Sequence, residues 1–281
     1  MQSQLIVSQL DPVVRGFPGY PVRTLAWRVT SPLRAVVRRF RHLKGAGRIP
    51  RVLELILPDG LFSVVTAGGT IQLRYQEALG KVHLIAGFEL AELRWALSLV
   101  KQGDVVFDVG AYVGWFTLPL AARVGATGLV VAVEPNAESV ARLSQSLADN
   151  VRRQVRVVCA ACWSQKGRLR LKVGCDPAFS AVGELRGSYP VEEREVPGLP
   201  LDALWEELGR PCVKLVKIDA EGAESEVLKG ARRFITGVSP ALLVKTSNPG
   251  RILELLPDGY AAVRKPGFEP WNHVFEREAE L

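Results

Sequence analysis

Two acidic residues and two glycines stand where a nucleoside-binding turn needs them. An apolar, strand-like run ends at Asp108, and Gly110 and Gly114 follow before a helical pattern begins. A second apolar run, 128–133, ends on Glu134. An acid at the tip of the second strand of a βαβ unit is placed to bind two ribose hydroxyls. The pattern predicts a nucleoside-containing cofactor, with Gly110 supplying backbone freedom and Gly114 letting the helix lie close to the strand.

The spacing of the glycines narrows the choice of cofactor. A dinucleotide turn has three glycines spaced G-x-G-x-x-G, whereas this turn reads G-x-x-x-G and follows a carboxylate. That carboxylate would repel a pyrophosphate but suits the ammonium and sulfonium of S-adenosylmethionine. The predicted cofactor-binding residues are Asp108, Gly110, Ala111, Gly114, Glu134 and Pro135. A ligand-free βαβ turn and an NAD-dependent oxidoreductase are the alternatives, the latter disfavoured by the missing third glycine.

A second acidic cluster follows the strand-like run 213–218. It comprises Asp219, Glu221 and Glu224 around Gly222. Ligands of open α/β sheets bind at the carboxyl ends of the strands, so this cluster and the first turn should share one cleft. We predict Asp219 as the base or hydroxyl-orienting group, and Glu221 as the second candidate. Capping of the following helix is the alternative role, and both roles can hold at once. A function is favoured because Lys229 alone, downstream, cannot neutralise the cluster locally.

The elements that must position these residues alternate between strands and helices. Predicted strands lie at 104–107, 128–133, 155–159, 213–218 and 240–245, and predicted helices at 88–100, 114–124, 137–149 and 223–235. This alternation predicts an α/β fold, a mostly parallel sheet with helices on both faces. Segments 260–264 and 274–276 predict a C-terminal antiparallel hairpin. The interruption at 160–205 contains a hairpin-like segment at 168–173 and falls on the expected substrate side.

Three segments together carry a family resemblance. Residues 108–114, 133–136 and 217–224, of which the last reads K-I-D-A-E-G-A-E, resemble the FkbM-type family of S-adenosylmethionine-dependent methyltransferases. The resemblance covers about residues 80–245 and is supported by segments 87–89, 97–104, 199–202 and 228–231. It implies a Rossmann-like class I methyltransferase fold and O-methylation of a hydroxyl, commonly on a sugar or secondary metabolite. The expected partner is therefore a small-molecule or glycan hydroxyl substrate.

Two positions depart from the family pattern. Tyr112 stands where the first loop commonly has Asn, and Lys245 stands where the fifth strand often ends on an acid. These two departures are the support for a further alternative, a non-catalytic methyltransferase-fold binding protein.

The positive charge of the chain is confined to its beginning. The 281 residues carry a net charge of +7, of which residues 1–51 contribute +9 and the rest −2. We predict a basic extension over 1–50 and a methyltransferase domain over 51–281, with lead-in strands and a helix at 51–100 and the core at 101–281. The lead-in strands are predicted at 52–57, 62–66 and 70–75, and Glu89 and Glu92 are interpreted as favourable charges at the start of the helix. The basic arm raises an RNA-directed methyltransferase as an alternative. The absence of an Asn-Pro-Pro-aromatic motif argues against nucleic acid as a partner.

The basic arm also contains an amphipathic pattern at 31–44. A helix there either contacts an anionic membrane surface or packs its apolar stripe on the domain. The sequence shows no signal peptide and no apolar run long enough to span a membrane, which predicts a cytoplasmic location with peripheral membrane contact as an option. The four cysteines include one C-x-x-C, at Cys159 and Cys162, and are predicted to be buried thiols. Neither they nor the three scattered histidines predict a metal site.

Overall fold

A computed structural model describes residues 13–16, 61–74, 77, 88–174, 176–183 and 190–277. The predicted helix at 31–44 and the predicted strand at 52–57 lie outside these residues. The strands are β1 (Val13–Gly16), β2 (Leu61–Thr66), β3 (Gly69–Arg74), β4 (Val105–Val109), β5 (Leu129–Glu134), β6 (Val155–Cys159), β7 (Ala161–Cys162), β8 (Gly167–Gly174), β9 (Ser180–Val182), β10 (Pro190–Leu199), β11 (Val213–Ile218), β12 (Ala241–Lys245), β13 (Tyr260–Val263) and β14 (Asn272–Arg277). The helices are α1 (Leu90–Leu99), α2 (Thr117–Val124), α3 (Ala137–Asp149), α4 (Leu201–Glu207), α5 (Glu224–Lys229), α6 (Arg232–Val238) and α7 (Pro249–Leu253).

The central sheet has the strand order β6-β5-β4-β11-β12-β14-β13. Strands β6, β5, β4, β11 and β12 run parallel to one another, whereas β14 is antiparallel to both β12 and β13. The α/β fold class, the mostly parallel sheet and the C-terminal antiparallel hairpin are thus confirmed. The strand order changes direction between β4 and β11, which is the place where open α/β sheets bind their ligands.

Neighbouring residues of the central strands pack on opposite faces of the sheet. In β4, the fully buried Val106 contacts the layer formed by α1, α2 and α3, whereas the equally buried Phe107 contacts the layer that contains α4, α5 and α6. Because both faces are covered, these strands read as continuous apolar runs rather than alternating ones. The cost of burying a polar group in such a strand is high, so the exceptions, Asp108 and Lys217, point to a function.

Helix boundaries account for two corrections to the sequence prediction. The predicted helix 223–235 is two helices, α5 and α6, because the Asp202 carboxylate accepts hydrogen bonds from the amides of Arg233 (3.2 Å) and Phe234 (2.8 Å) and so begins a new helix there. A Cβ at Gly230, between the two, would lie 2.1 Å from the Trp163 carbonyl oxygen. Helix α2 begins at residue 117 rather than 114, since residues 112–116 form turns.

The interruption predicted at 160–205 is largely a second sheet. Its strand order is β7-β10-β8-β9, and β8 pairs with β10 over eight register positions from Gly167 to Gly174. The hairpin-like segment at 168–173 therefore is a strand, as its pattern indicated, and it pairs antiparallel both with β9, which follows it directly, and with the more distant β10. The same region contains α4, which the sequence did not predict.

A third sheet precedes the core. Strands β1, β2 and β3 pair antiparallel in that order, and the predicted strands 62–66 and 70–75 correspond to β2 and β3. Asn150, at the end of α3, holds this sheet by accepting a hydrogen bond from the Thr70 amide (2.8 Å) and donating one to the Thr70 carbonyl (2.9 Å).

The cysteines that the structure describes differ in their exposure. Cys162 is buried, as predicted, but Cys159 and Cys212 are exposed. The reason is their position at the ends of elements, since Cys159 is the last residue of the edge strand β6 and Cys212 directly precedes β11.

Among the helices that the structure describes, none is both long and apolar enough to cross a membrane.

Candidate active site

The predicted site residues meet at one edge of the central sheet. Asp108, Glu134 and Asp219 belong to the carboxyl ends of β4, β5 and β11, which are adjacent parallel strands. They line a cavity of about 190 Å³, together with Gly110, Ala111, Pro135 and Glu221. Gly114 alone of the predicted residues does not line it. The shared cleft that the sequence predicted is therefore present.

The first turn is shaped by a close backbone approach at Gly110. This residue has φ of +77°, and a Cβ on it would lie 1.8 Å from the Asp219 carbonyl oxygen. Only glycine fits there, because both the backbone angle and the space exclude a side chain. The role of Gly114 differs from the predicted one, which was to let the following helix lie close to β4. A Cβ on Gly114 would lie 2.6 Å from Leu143 of α3 and 2.7 Å from Leu118 of α2, so the glycine allows these leucines to pack against the turn.

Tyr112 adopts the left-handed backbone conformation, with φ of +48°. Asn tolerates this conformation better than most residues, which gives a physical reason for the family's preference at this position. In this chain the Tyr112 amide nitrogen donates to Glu134 Oε2 at 2.9 Å. The contact to Glu134 comes from the main chain, and it is therefore independent of the Tyr112 side chain.

Glu134 is held from both sides by backbone amides. Its Oε1 accepts from the Asn136 amide at 2.9 Å, while its Oε2 accepts from Tyr112. Burial raises the pKa of this carboxyl to about 7, against the two amide hydrogen bonds that lower it. Each oxygen keeps one further lone pair, so the carboxylate can accept two more hydrogen bonds. A pair of ribose hydroxyls supplies two such donors.

Asp108 is fully buried, and only one of its two carboxylate oxygens accepts a hydrogen bond from a described residue. Thr117 Oγ1 donates to its Oδ2 at 2.6 Å, whereas Oδ1 has no hydrogen-bond partner within the described part of the chain. The Lys217 Nζ lies 3.7 Å from that oxygen and pairs with it electrostatically. Burial raises the pKa of Asp108, and the charge of Lys217 acts against this rise. An unsatisfied buried oxygen beside the cavity is an open position for a ligand's donor.

The acidic cluster after β11 is neutralised by two lysines of the central sheet, Lys245 at the end of β12 and Lys217 in β11. Lys245 Nζ lies 3.1 Å from Asp219 Oδ1 and 2.9 Å from Glu221 Oε1, and Lys217 Nζ lies 3.8 Å from Asp219 Oδ2. Lys229 pairs with Glu226 instead. Amide hydrogen bonding explains Glu224, which accepts from Ala220 and Gly222, but not Asp219 or Glu221, whose described partners are lysines.

The pKa values of the two candidate catalytic carboxylates, Asp219 and Glu221, are shifted in opposite directions. Burial alone would raise the pKa of Asp219, but the charges of Lys245 and Lys217 hold it below its ordinary value. Burial and the neighbouring Asp219 raise the pKa of Glu221 instead, against the charge of Lys245. Asp219 therefore remains negatively charged at neutral pH, which suits a carboxylate that orients a hydroxyl.

Sequence reasoning missed three residues of the site: Glu89, Lys217 and Lys245. Glu89 was interpreted as a favourable charge at the start of helix α1, but it is buried and lines the cavity. Lys217 carried a usable signal, since a charge within an otherwise apolar central strand must face a partner. Lys245 was noticed only as a departure from the family, and its partners lie 24 and 26 residues earlier in the chain.

Another part of the cavity wall is apolar and comes from β8, β9 and the segment between them. It includes Leu171, Pro177, Phe179 and Val182. Asn136 Nδ2 donates to Ser180 Oγ at 3.1 Å and so ties this wall to the loop that carries Glu134. The cavity thus has a polar end for charged groups and an apolar end on which an aromatic base can pack. Among the described residues, no group of three or more His, Cys, Asp or Glu side chains is arranged to hold a metal ion.

This cavity fits S-adenosylmethionine on three counts. Glu134 offers two acceptors to a ribose, the cavity-lining Asp108 has an oxygen without a hydrogen bond, and the apolar lining that includes Phe179 offers a surface to the base. The fold and the site together define an S-adenosylmethionine-dependent methyltransferase of class I.

Comparisons with known proteins identify the family. The family described as Methyltransferase FkbM domain matches residues 108–268, which is more than half of the chain. The chain therefore belongs to this family, as its motifs indicated.

Individual relatives are more distant. Residues of this chain are 36% identical over 85 positions to the 23S rRNA (uracil(1939)-C(5))-methyltransferase RlmD of Acinetobacter baumannii, a match that covers 30% of this chain and 17% of that protein. The crystal structure of the methyltransferase FkbM from Methylobacillus flagellatus is 18% identical, with a TM-score of 0.44, over 70% of this chain and 52% of that one. Aeropyrum pernix fibrillarin, solved with bound S-adenosyl-L-methionine, is 16% identical, with a TM-score of 0.40, over 63% and 66% of the two chains. The chain thus spans about half the length of the Methylobacillus protein and a sixth of RlmD.

Proposed function

We propose that this protein transfers a methyl group from S-adenosylmethionine to a hydroxyl of a small molecule or glycan. The observation that supports this most directly is the ion-paired Asp219 on the cavity wall, 3.1 Å from Lys245 Nζ. A carboxylate held in its charged form accepts a hydrogen bond from a hydroxyl and fixes the direction of the oxygen lone pairs. The cofactor supplies an electrophilic methyl group, so alignment of the acceptor oxygen accounts for most of the protein's work.

The residues divide into a cofactor end and an acceptor end. Glu134 binds the ribose hydroxyls through its two remaining lone pairs, and Pro135 and Ala111 complete that part of the wall. Asp108, Gly110 and Lys217 shape the methionine end. Asp219 orients the acceptor hydroxyl, and Glu221 contributes a second acceptor on the same side. The apolar wall around Phe179 excludes water from the cofactor's base.

The test is transfer of labelled methyl groups from S-adenosylmethionine to a panel of hydroxylated acceptors. We would use methyl glycosides of common hexoses and deoxyhexoses, phenols and simple secondary alcohols, with the matching amines as controls. Label in a hydroxylated acceptor, and its strong reduction in Asp219→Asn with unchanged cofactor affinity, would support the proposal. Label only in amines, or an Asp219→Asn protein with normal turnover, would contradict it.

RNA methylation is the second candidate, favoured by the 85-residue likeness to an rRNA methyltransferase and by the net charge of +9 in residues 1–51. Transcribed ribosomal RNA belongs in the same panel. If RNA is the acceptor, methylation should fall steeply as salt is raised, because each phosphate contact releases counterions. It should also vanish when residues 1–50 are deleted.

A further inference from the structure

Glu89 is a buried carboxylate of the cavity wall that none of the roles above uses. Its side chain lines the cavity, and the residue is only 4% exposed. It precedes helix α1 in the left-handed backbone conformation, with φ of +47° and ψ of +38°. Residues other than glycine rarely adopt this conformation, and when they do the site is often functional.

The carboxylate of Glu89 is positioned by an amide. Asn272 Nδ2 donates to Glu89 Oε1 at 2.9 Å and also to Glu92 Oε1 at 3.1 Å. Asn272 opens β14 and pairs with Lys245 in the register of the sheet, so it joins Glu89 to the end of β12, whose lysine contacts the acidic cluster. One side chain thus fixes the place of Glu89 relative to the acceptor end of the cavity.

Glu89 differs from Asp108, Asp219 and Glu221 in having no counterion in contact. Within the described residues, no lysine or arginine nitrogen lies within ion-pair distance of it, whereas Asp219 and Glu221 share Lys245. A carboxylate bound tightly to a lysine is a weak base. Of the acids at the charged end of the cavity, Glu89 is the one whose lone pairs are not committed to a cation.

We propose that Glu89 accepts the proton of the acceptor hydroxyl. The inference rests on the proposed function, since it assigns a step within that reaction. As the acceptor oxygen bonds to the methyl carbon, the carbon–sulfur bond breaks and its electron pair stays on sulfur. The hydroxyl proton passes to the Glu89 carboxylate, and solvent removes it after the products leave.

The charges around Glu89 suit this step. Asp219 and Lys217 face it from β11, Lys245 from β12 and Glu92 from its own helix. Burial and then Asp219 raise the pKa of Glu89 to about 7, against the two lysines and the Asn272 hydrogen bond. A base is most effective when its pKa is close to the working pH. A bound sulfonium adds positive charge to the cavity and would favour the ionised carboxylate, so that the base is prepared when the cofactor arrives.

Proton counting by calorimetry tests this without a known acceptor. Binding heats of S-adenosylmethionine and S-adenosylhomocysteine at pH 7 are measured in phosphate and in Tris, and the buffer dependence gives the protons released. Glu134 also titrates near pH 7, but both ligands carry the same ribose, so its contribution cancels in the difference. S-Adenosylmethionine should release about half a proton more than S-adenosylhomocysteine, as expected for a group half-protonated at pH 7.

Two variants test whether Glu89 is the source of the difference in released protons between the two ligands. Glu89→Gln should release equal numbers of protons with the two ligands. Glu92→Gln is the matched control, because Glu92 shares Asn272 but does not line the cavity, and it should keep the wild-type difference. If the wild type shows no difference, or Glu89→Gln retains it, the inference is overturned. If folded wild-type protein binds neither ligand, the proposed function fails instead.

A second measurement separates a base from a positioning group. With the best acceptor of the panel, Glu89→Gln should lower kcat by about 100-fold or more and remove the decline in rate at acid pH, with little change in the KM for the cofactor. An altered KM with normal kcat would mean that Glu89 binds the cofactor's ammonium and is not the base.

Discussion

The ammonium of Lys245 lies 3.1 Å from Asp219 Oδ1, and the same nitrogen lies 2.9 Å from Glu221 Oε1. Lysine at the end of the fifth strand is a departure from the family, yet it is built into the charged end of the cavity. Its pKa is raised because the two carboxylates outweigh the effect of burial. These ion pairs should stabilise the folded protein in a way that depends on pH.

Replacing Lys245 with Met should destabilise the protein at neutral pH. Breaking a buried ion pair costs about 3–5 kcal/mol, and water screens this one, so we expect a loss of about 1–3 kcal/mol in the free energy of unfolding. Because the pKa of Asp219 is lowered in the folded state, its stabilising effect is present above the unfolded pKa and is lost as pH falls through the folded value. The deficit should therefore shrink in acid.

Urea denaturation of Lys245→Met at pH 7 and at pH 3.5 measures this. Lys229→Met is the control, since Lys229 pairs with Glu226 on the surface and its loss should cost less than about 1 kcal/mol. Equal deficits at both pH values would mean that Lys245 acts through packing and not through charge.

Gly110→Ala should abolish the closed turn between β4 and β11. The new Cβ would lie 1.8 Å from the Asp219 carbonyl oxygen, so the two strand ends must separate, and we expect a loss of more than about 3 kcal/mol. Gly183→Ala is the control that measures the backbone strain alone. Gly183 has φ of +117°, but no atom lies within 4 Å of the added Cβ. That variant should lose about 1–2 kcal/mol. Thermal unfolding of both proteins compares the two effects, and similar losses would contradict the close approach at Gly110.

Tyr112→Asn should keep the affinity for the cofactor. Only the main-chain amide of residue 112 reaches Glu134, and Asn adopts the left-handed conformation more readily than Tyr. Titration with S-adenosylhomocysteine should give a Kd within about threefold of the wild type, a difference below 1 kcal/mol. A loss of tenfold or more would show that the Tyr112 side chain itself holds the ligand.

Glu89→Gln should be more stable than the wild type in alkali. The folded protein raises the pKa of Glu89 from 4.5 to about 7, so the native state holds this proton more tightly than the unfolded chain does. The native state accordingly loses stability as pH rises from about 4.5 to 7. At pH 8 the variant should gain about 1–3 kcal/mol, a gain that disappears near pH 5. Denaturation at the two pH values gives the comparison, and a variant that is less stable at both would show that Glu89 is needed for packing.

The fold was predictable where one strong pattern determines an element. Helix α3 and strand β11 have the bounds that the sequence predicted, because the Asn136 cap fixes the start of the helix and the acidic cluster follows directly on the strand. The meeting of Asp108, Glu134 and Asp219 also followed from sequence, since the carboxyl ends of parallel strands share one edge.

What the sequence did not provide depends on contacts between distant residues. The break between α5 and α6 is set by Asp202, which lies about thirty residues earlier and caps α6. The pairing of Lys245 with Asp219 requires two strands to be neighbours in the sheet. Glu89 has the sequence pattern of an ordinary helix-start acid, and its place in the cavity wall depends on Asn272, which lies 183 residues later in the chain.

The most direct test of the account is calorimetric titration of the wild type and Glu134→Gln with S-adenosylmethionine, S-adenosylhomocysteine and NAD. Both oxygens of Glu134 accept backbone amides, so the variant loses an acceptor for the ribose and gains a misplaced N–H donor. We expect the wild type to bind S-adenosylmethionine and S-adenosylhomocysteine with micromolar Kd and not to bind NAD. Glu134→Gln should bind S-adenosylmethionine and S-adenosylhomocysteine about 10–100-fold more weakly than the wild type. A folded wild type that binds neither ligand, or a Glu134→Gln protein with unchanged affinity, would contradict it.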